Sequence, residues 1–371
     1  MRRLVALFSL ARSACEILFV APLYEIYLRA RSFLDPRTRR GVERIRQHID
    51  GSLIHHSGEV AIFATSHNGI YPAFFLNLFR ALKQARIDVL IISNRDLSDD
   101  VIEQLRPHCR WLLIRENIGR DFGAYADAIR FLSQQNLSQE RLFLFNDSLF
   151  YRDEGLVEQL IDPMRGHAFS AATVSQVPLV HAQSFCVAFG KTVLEHPAFR
   201  AYWEQYRPID TRRWAISRGE LGLSVALTSA GFKPVAVYSH ERVARTLLDN
   251  MAGKEADILK LVPRLPPKAQ KAFGIQSAEF QAFVLLDDMA RLLWDYSTIH
   301  FCGFLLWRFA GMPIMKRDLV YRGVFSPVQT VAFMDVEPGE GAQLMIADLF
   351  SRGEGRLLPG LAGFRFRNGF S

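Results

Sequence analysis

The chain has no CxxC pair, no Gly-rich phosphate loop and no uninterrupted apolar run long enough to span a bilayer, and each absence removes a class of function. Its four cysteines, at positions 15, 109, 186 and 302, are widely spaced and have no paired histidines nearby. Neither a zinc site nor a disulfide framework is expected, and the thiols read as reduced core residues of a cytosolic protein. Without a phosphate loop or a second acidic triad, a nucleotidyl-transferring enzyme is disfavoured. Residues 4–28 are mostly apolar, but Arg12, Glu16 and Glu25 interrupt them and Pro22 breaks them. A helix spanning a membrane there would bury charge at a cost of several kcal/mol. No small-residue cleavage site follows a clean apolar stretch, so a signal peptide is not expected either.

Net basic charge is nearly missing from most of the chain, where cations and carboxylates almost balance. Residues 1–50 hold ten arginines against five carboxylates, whereas the formal net charge of all 371 residues is only +7. A nucleic-acid-binding domain would carry its basic face on the folded body, so no nucleic-acid partner is expected. The charge belongs instead to an arm, residues 1–50. Within it Ser9, Arg12, Ser13 and Glu16 share one helical face, leaving Leu4, Leu7, Phe8, Ala11, Cys15 and Leu18 to an apolar one. Arg2 and Arg3 before that helix, and Arg37, Arg39 and Arg40 after it, each add about 1 kcal/mol of attraction to anionic headgroups. Two readings stand: a peripheral in-plane helix on the cytoplasmic face of the inner membrane, with an anionic lipid surface as partner, or a helix docked on its own domain.

What is present in quantity is apolar sequence, 49% of the residues, enough for a large core. Short apolar runs at 60–65, 89–92 and 111–114 alternate with helical patterns. At 72–84, Phe75, Leu78, Phe79 and Leu82 recur at helical spacing, and at 98–106 Ser98 stands as an N-cap. This alternation predicts an α/β fold with a mostly parallel, Rossmann-type sheet flanked by helices. A fourth strand is expected at 142–145, a helix at 219–230 closed by Gly231, and a strand at 234–238. A Pro-rich link at 263–267 leads to a helical C-terminal region, and a Gly-rich tail opens near 337. The expected division is the arm at 1–50, a main domain at 55–325 and a tail at 326–371.

Polar residues follow each of these strands: His67 and Asn68, then Asn94 and Asp96, then Asn117, Gly119, Arg120 and Asp121, then Asn146, Asp147 and Ser148. Ligands in open parallel sheets collect at such carboxyl ends, so these positions predict one cleft. Transfer from a nucleotide sugar requires a pocket for base and ribose, positive charge or a metal for the diphosphate, and a carboxylate to accept the proton of the acceptor hydroxyl. Each requirement has a candidate. Gly119 permits close backbone approach, Arg120 offers a fixed cation, and Asp121 caps a helix or holds a sugar hydroxyl. The plainer alternative for Arg120 and Asp121 is a surface pair at a helix start.

Several blocks occur in order over residues 59–324: VAIFATSHN at 60–68, VLIISNRDLSD at 89–99, ENIGRDFGAY at 116–125, FNDS at 145–148, HAQSF at 181–185, GELGLSVALTSAG at 219–231, TIHFCGFLLW at 298–307 and GMPIMKRD at 311–318. Together they resemble family-2-like glycosyltransferases of GT-A fold, and more specifically the rhamnan synthesis protein F family. The resemblance implies an inverting glycosyltransferase that moves a sugar such as L-rhamnose, from dTDP-rhamnose or another nucleotide sugar, to a growing surface polysaccharide or lipid-linked glycan. It also implies other polysaccharide-assembly enzymes as partners.

Carried over residue by residue, Asn94 and Asp96 fall where the family reads the base, with Ser93 and Asn94 standing where an aspartate is usual. Asp147 falls at the metal motif. It either holds Mg²⁺ or Mn²⁺ with Asn146 and water, or leaves the diphosphate to Arg120 and other cations; in an inert protein the same residue would only cap a turn. Gln183 and Ser184 correspond to an acceptor-side segment, and His300 or Lys316 to the closing of the diphosphate site. Glu220 corresponds to the catalytic base, with Gly219 where a first acid is usual; its plain alternative is a solvated glutamate at a helix N-terminus. The missing second acids keep open a catalytically inactive scaffold or a glycan-binding subunit.

Overall fold

The computed structural model describes residues 21–135, 139–176, 178–249, 298–301, 303–322, 325–336 and 340–353. Strands β1 to β5 are Ile45–Asp50, Glu59–Thr65, Asp88–Ser93, Trp111–Arg115 and Arg141–Asn146. Strands β6 to β12 are Leu149–Tyr151, Phe169–Ala171, Val174–Ser175, His181–Ala182, Cys186–Gly190, Val235–Ala236 and Ile314–Lys316. The longer helices α1 to α5 are Ala21–Leu34, Ala73–Gln84, Asp99–Leu105, Arg120–Gln134 and Pro197–Gln205. Helix α6 runs without a break through Arg212–Trp214, a π-turn at Ala215–Glu220 and Leu221–Ser229. Helices α7 to α10 are His240–Asp249, Gly303–Phe309, Pro327–Val336 and Glu340–Ser351.

Alternation along the strands divides the core in two. Ala61 and Phe63 of β2, Val89 and Ile91 of β3, and Phe143 and Phe145 of β5 join one buried cluster with α2 and α8. Their neighbours Val60 and Ile62, Leu90 and Ile92, and Leu142 and Leu144 join a second cluster with α4, α5 and α6. The central strands are therefore apolar on both faces, as sheets covered by helices on two sides require. Eight strands form the main sheet in the order β1-β4-β3-β2-β5-β10-β7-β11. β4, β3, β2 and β5 pair in parallel, whereas β1 and β10 run antiparallel to their neighbours. The mostly parallel α/β sheet expected from the sequence is present.

Several boundaries differ from the sequence expectation. Residues 45–50 do not belong to the arm but form the edge strand β1, whose polar residues offered no apolar run to detect. The stretch assigned to the tail, 326–371, contains α9, in keeping with a helical C-terminal region, and also α10, where no periodicity was expected; the two pack on each other. Glu220 does not begin a helix: α6 starts eight residues earlier, where the Thr211 hydroxyl caps Trp214. The thiols Cys109 and Cys186 are buried and free, and burial pushes both pKa values up. Residues 1–20 of the arm, Cys15, Cys302, the link at 263–267 and residues 354–371 lie outside the described residues. Among the described residues no helix is long and apolar enough to cross a membrane.

One side of α1 packs inward. Leu28 is fully buried in the second cluster, and Glu25 approaches Arg218 at 3.1 Å. The opposite side presents Leu23, Ile26, Phe33 and Leu34, each more than 60% exposed.

A buried ion cluster sits below the carboxyl ends of the strands. Arg44, Arg115 and Asp127 have no exposed side-chain surface. Asp127, on α4, accepts from Arg44 Nε and Arg115 Nε at 2.8 Å each. Arg115 also donates to Asn94 Oδ1 at 2.6 Å and to the Ile118 carbonyl at 3.0 Å. Burial lowers the Arg115 pKa while the Asp127 charge opposes the shift. The cluster thus fastens the loops after β3 and β4 to one helix.

Candidate functional site

From β2 the chain moves outward through β3 and β4 on one side, while β5 returns on the other side. β2 and β5 therefore flank the point where the strand order reverses, and the crevice beyond their carboxyl ends is where open α/β sheets bind ligands. Two adjoining lobes occupy it. The first, of about 580 Å³, is lined by Thr65, His67, Asn94, Asn117, Asp147 and Arg317 among others. The second, of about 590 Å³, is lined by Gln183, Ser184, Arg212, Glu220, His300, Lys316 and Arg322. Arg120, Asp121, Asn146, Ser148 and Arg352 border both lobes.

The floor of the first lobe is a hydrogen-bonded weave of three loops. Asp147 Oδ2 accepts from Thr65 Oγ1 at 3.1 Å, Ser66 N at 2.6 Å and His67 N at 3.2 Å. Asn94 N donates to the Thr65 carbonyl at 2.8 Å, and Arg317 Nη1 donates to the Asp147 carbonyl at 2.6 Å. The turn-capping alternative for Asp147 is thus realised at Oδ2, while the residue still borders the lobe.

The loop after β4 turns sharply into α4. Gly119 has φ +80° and Arg120 φ 57°, both left-handed, so the helix starts immediately from a backbone that favours glycine. A Cβ added at Gly119 would lie 2.3 Å from Pro208 Cβ. Gly119→Ala is therefore expected to lower the unfolding free energy by about 1–3 kcal/mol, read as a lower urea midpoint at unchanged slope. An unchanged midpoint would show that the turn relaxes without strain.

Two carboxylates meet between the lobes. Asp121 Oδ2 accepts from Asn146 Nδ2 at 3.0 Å, and burial, then the like charge of Glu220, raise the Asp121 pKa. Glu220 Oε1 accepts from Ser184 N at 3.2 Å and from Ser184 Oγ at 2.6 Å. The π-turn is tied down on both sides: the Tyr202 hydroxyl lies 2.8 and 3.0 Å from the Arg218 and Gly219 carbonyls. Gly219 itself rests on Phe122, where a Cβ would come within 2.5 Å of the ring. Such π-turns recur at functional sites because they re-aim one residue without ending the helix.

Cations face these acids. Lys316 is buried, donates to Ser148 Oγ at 2.9 Å and lies 4.0 Å from the Phe185 ring centroid. Burial lowers its pKa to about 8. Burial, then the nearby Arg322 charge, lowers the Arg212 pKa to about 10. His300 Nε2 stands 3.2 Å from Asp318 Oδ1 without the alignment of a hydrogen bond, and burial holds its pKa near 4, so the ring is neutral at pH 7. Asp318 also pairs with Arg322, and Arg317 binds Asp348 through two bonds.

Most of the residues singled out from the sequence border this cleft; three do not. Asn68 is exposed beyond the lobes, and Asp96 is exposed and pairs with Arg46 at 2.7 Å. Gly119 acts below the cleft as its backbone pivot. The carbonyl oxygen of Gln183 accepts from Thr173 at 2.6 Å, so part of that side chain is structural. Sequence reasoning missed Arg212, Arg322 and Arg352. Their only trace is a basic residue in each case next to a helix or turn, too common a pattern to single out.

Asp147 leaves only its Oδ1 for a divalent metal. Asp147 directs Oδ2 into the turn after β2, the neighbouring Asn146 and Ser148 are bonded to each other, and Arg317 and Lys316 approach from the other side. Among the described residues no three His, Cys, Asp or Glu side chains gather as a metal site.

No family model matches the chain. A protein of Sinorhizobium fredii (strain NBRC 101917 / NGR234) called "Uncharacterized protein y4gN" is 29% identical over 183 residues, which are 48% of this chain and 47% of that protein. The match thus spans about half the length of this curated relative. Among solved structures, a putative nucleotide-diphospho-sugar transferase from Desulfovibrio desulfuricans G20 aligns with 64% of this chain and 98% of its own, at 8% identity and a TM-score of 0.34. A 4-diphosphocytidyl-2C-methyl-D-erythritolsynthase from Anaerococcus prevotii DSM 20548 aligns with 41% of this chain and 77% of its own, at 12% identity and a TM-score of 0.28.

Proposed function

We propose that the cleft binds a nucleotide-activated sugar and transfers the sugar to a hydroxyl of a glycan or lipid-linked acceptor. The observation that carries this reading is Glu220, a carboxylate fixed by two Ser184 donors and bordering a lobe that Lys316 and Arg212 also line. In the reaction the acceptor oxygen attacks C1 of the sugar and gives its proton to Glu220. The bond from C1 to the phosphate oxygen breaks, and its electron pair leaves with the nucleoside diphosphate. Inversion at C1, which the sequence resemblance implies, requires such a base on the side opposite the leaving group. L-Rhamnose from a dTDP donor, for a surface polysaccharide, is the substrate pair that the sequence resemblance favours.

The test is a panel of nucleotide sugars scored by thermal shift and then by transfer of labelled sugar. A donor present at a hundred times its dissociation constant adds about 2.7 kcal/mol of stability. Stabilisation by a donor without any turnover across glycan and lipid acceptors would point to the inactive glycan-assembly subunit instead.

We further propose that the protein works on the cytoplasmic face of the inner membrane, held by the exposed side of α1 together with the apolar segment before it. Leu23, Ile26 and Phe33 supply the apolar contact, and Arg29, Arg31 and Arg37 beside it are partly offset by their pairing with Glu25 and Asp35. The triple substitution Leu23→Ser, Ile26→Ser and Phe33→Ser is expected to weaken binding to anionic vesicles at least tenfold at an unchanged melting temperature. Partition equal to wild type would mean that α1 merely docks on its own domain.

A further inference from the structure

We infer that the donor's diphosphate is held by the protein's own cations, with Lys316 and Arg212 as its principal contacts, and not through a divalent metal on Asp147. This deepens the transfer reading and rests on it. The first ground is Lys316. It is only 8% exposed, and its one hydrogen bond among the described residues goes to the neutral Ser148 hydroxyl, which leaves two ammonium donors for an anion. The Phe185 ring and the charges of Asp318, Glu220 and Asp121 act on this buried ammonium without hydrogen-bonding it, so a bound anion would supply the direct partners it lacks.

The second ground is Arg212, which lines the same lobe and whose guanidinium makes no salt bridge or hydrogen bond among the described residues, although Asp318 and Glu220 lie near enough to act on its charge. Arg322 and Arg352, by contrast, are paired with Asp318 and Asp348. The surplus positive charge of the lobe is thus concentrated where a phosphate can satisfy it, and a guanidinium suits two phosphate oxygens at once. The third ground is Asp147. Its Oδ2 is committed to three donors of the turn after β2, so a metal gripping both carboxylate oxygens would undo the floor of the first lobe, and a metal on Oδ1 alone would be weakly held. As the bond to C1 breaks, the diphosphate gains one negative charge, and fixed cations stabilise it without reorganising.

Inorganic pyrophosphate is the probe, titrated calorimetrically into the full chain in EDTA and then with Mg²⁺ or Mn²⁺. Binding in EDTA is expected, with at least tenfold loss in Arg212→Gln and in Lys316→Met and an intermediate loss in Arg212→Lys; melting curves check that each variant folds. Binding that appears only with metal, or wild-type affinity in folded Arg212→Gln and Lys316→Met, would overturn the inference. Transfer assays in EDTA separate it from the underlying reading. Metal-independent pyrophosphate binding without turnover of any nucleotide sugar leaves the anion site standing and removes the transferase, whereas strictly metal-dependent turnover keeps the transferase and removes the cation site.

Discussion

Glu220→Gln is expected to lose about 10²- to 10⁴-fold in turnover with donor and acceptor saturating, while donor affinity and folding stability stay close to wild type. The amide oxygen of glutamine can still accept from both Ser184 N and Ser184 Oγ, so the side chain keeps its place and loses only its basicity. That separates the catalytic role from a structural one. Were Glu220 only a partner for Ser184, the glutamine would serve nearly as well and turnover would change little. Activity within about threefold of wild type, ~0.65 kcal/mol of barrier, would remove Glu220 as the base. Asp121 would then be the next candidate, since it borders both lobes and burial, then the charge of Glu220, raise its pKa.

A second large effect is expected far from the acceptor, at the buried ion cluster. Asp127→Ala leaves Arg44 and Arg115 without their carboxylate at positions where neither has exposed surface. Breaking a buried pair by removing one partner costs about 3–5 kcal/mol, because the remaining charge stays desolvated. Urea unfolding followed by tryptophan fluorescence should show that loss. Asp127→Asn, which keeps the shape and part of the hydrogen bonding, should fall between the two. A loss under about 1 kcal/mol in the alanine variant would mean that water or a rearranged side chain reaches the cluster. The same substitution should weaken donor binding, since Arg115 holds Asn94, which lines the cleft, and the Ile118 carbonyl of the loop that leads to Arg120.

The central strands were legible because they are buried on both faces and read as apolar runs, and the observed β2, β3, β4 and β5 differ from the expected ones by only a residue or so at their ends. Edge strand β1 was not legible. Its residues are mostly exposed and polar, and only its pairing with β4 makes it a strand. Helix α10 was missed because glycines and proline around 337–341 outweighed the weak apolar pattern that follows them. At the site, the rule that polar residues follow strands found the floor of the cleft but could not tell which loop residue turns inward. Asn94 does so because Arg115 holds it, whereas Asp96, two residues on, faces solvent beside Arg46. The cations of the second lobe come from segments distant in sequence, at 212, 316 and 322, and converge only through folding.

The π-turn of α6 gives the candidate base an independent angular setting. One extra residue in a turn rotates the remainder of the helix by roughly 100° relative to a plain α-helix. The part of α6 beyond Glu220 buries Leu223 and Leu227 in the second core cluster, and the part before it buries Trp214 and Ala215 there. Both ends are fixed by packing, so the extra residue is absorbed between them, where Tyr202 holds the two carbonyls and Phe122 leaves room for nothing larger than Gly219. A single-residue deletion in this turn would thus act as a change of phase: the core contacts at one end could be kept only by swinging the carboxylate away from Ser184.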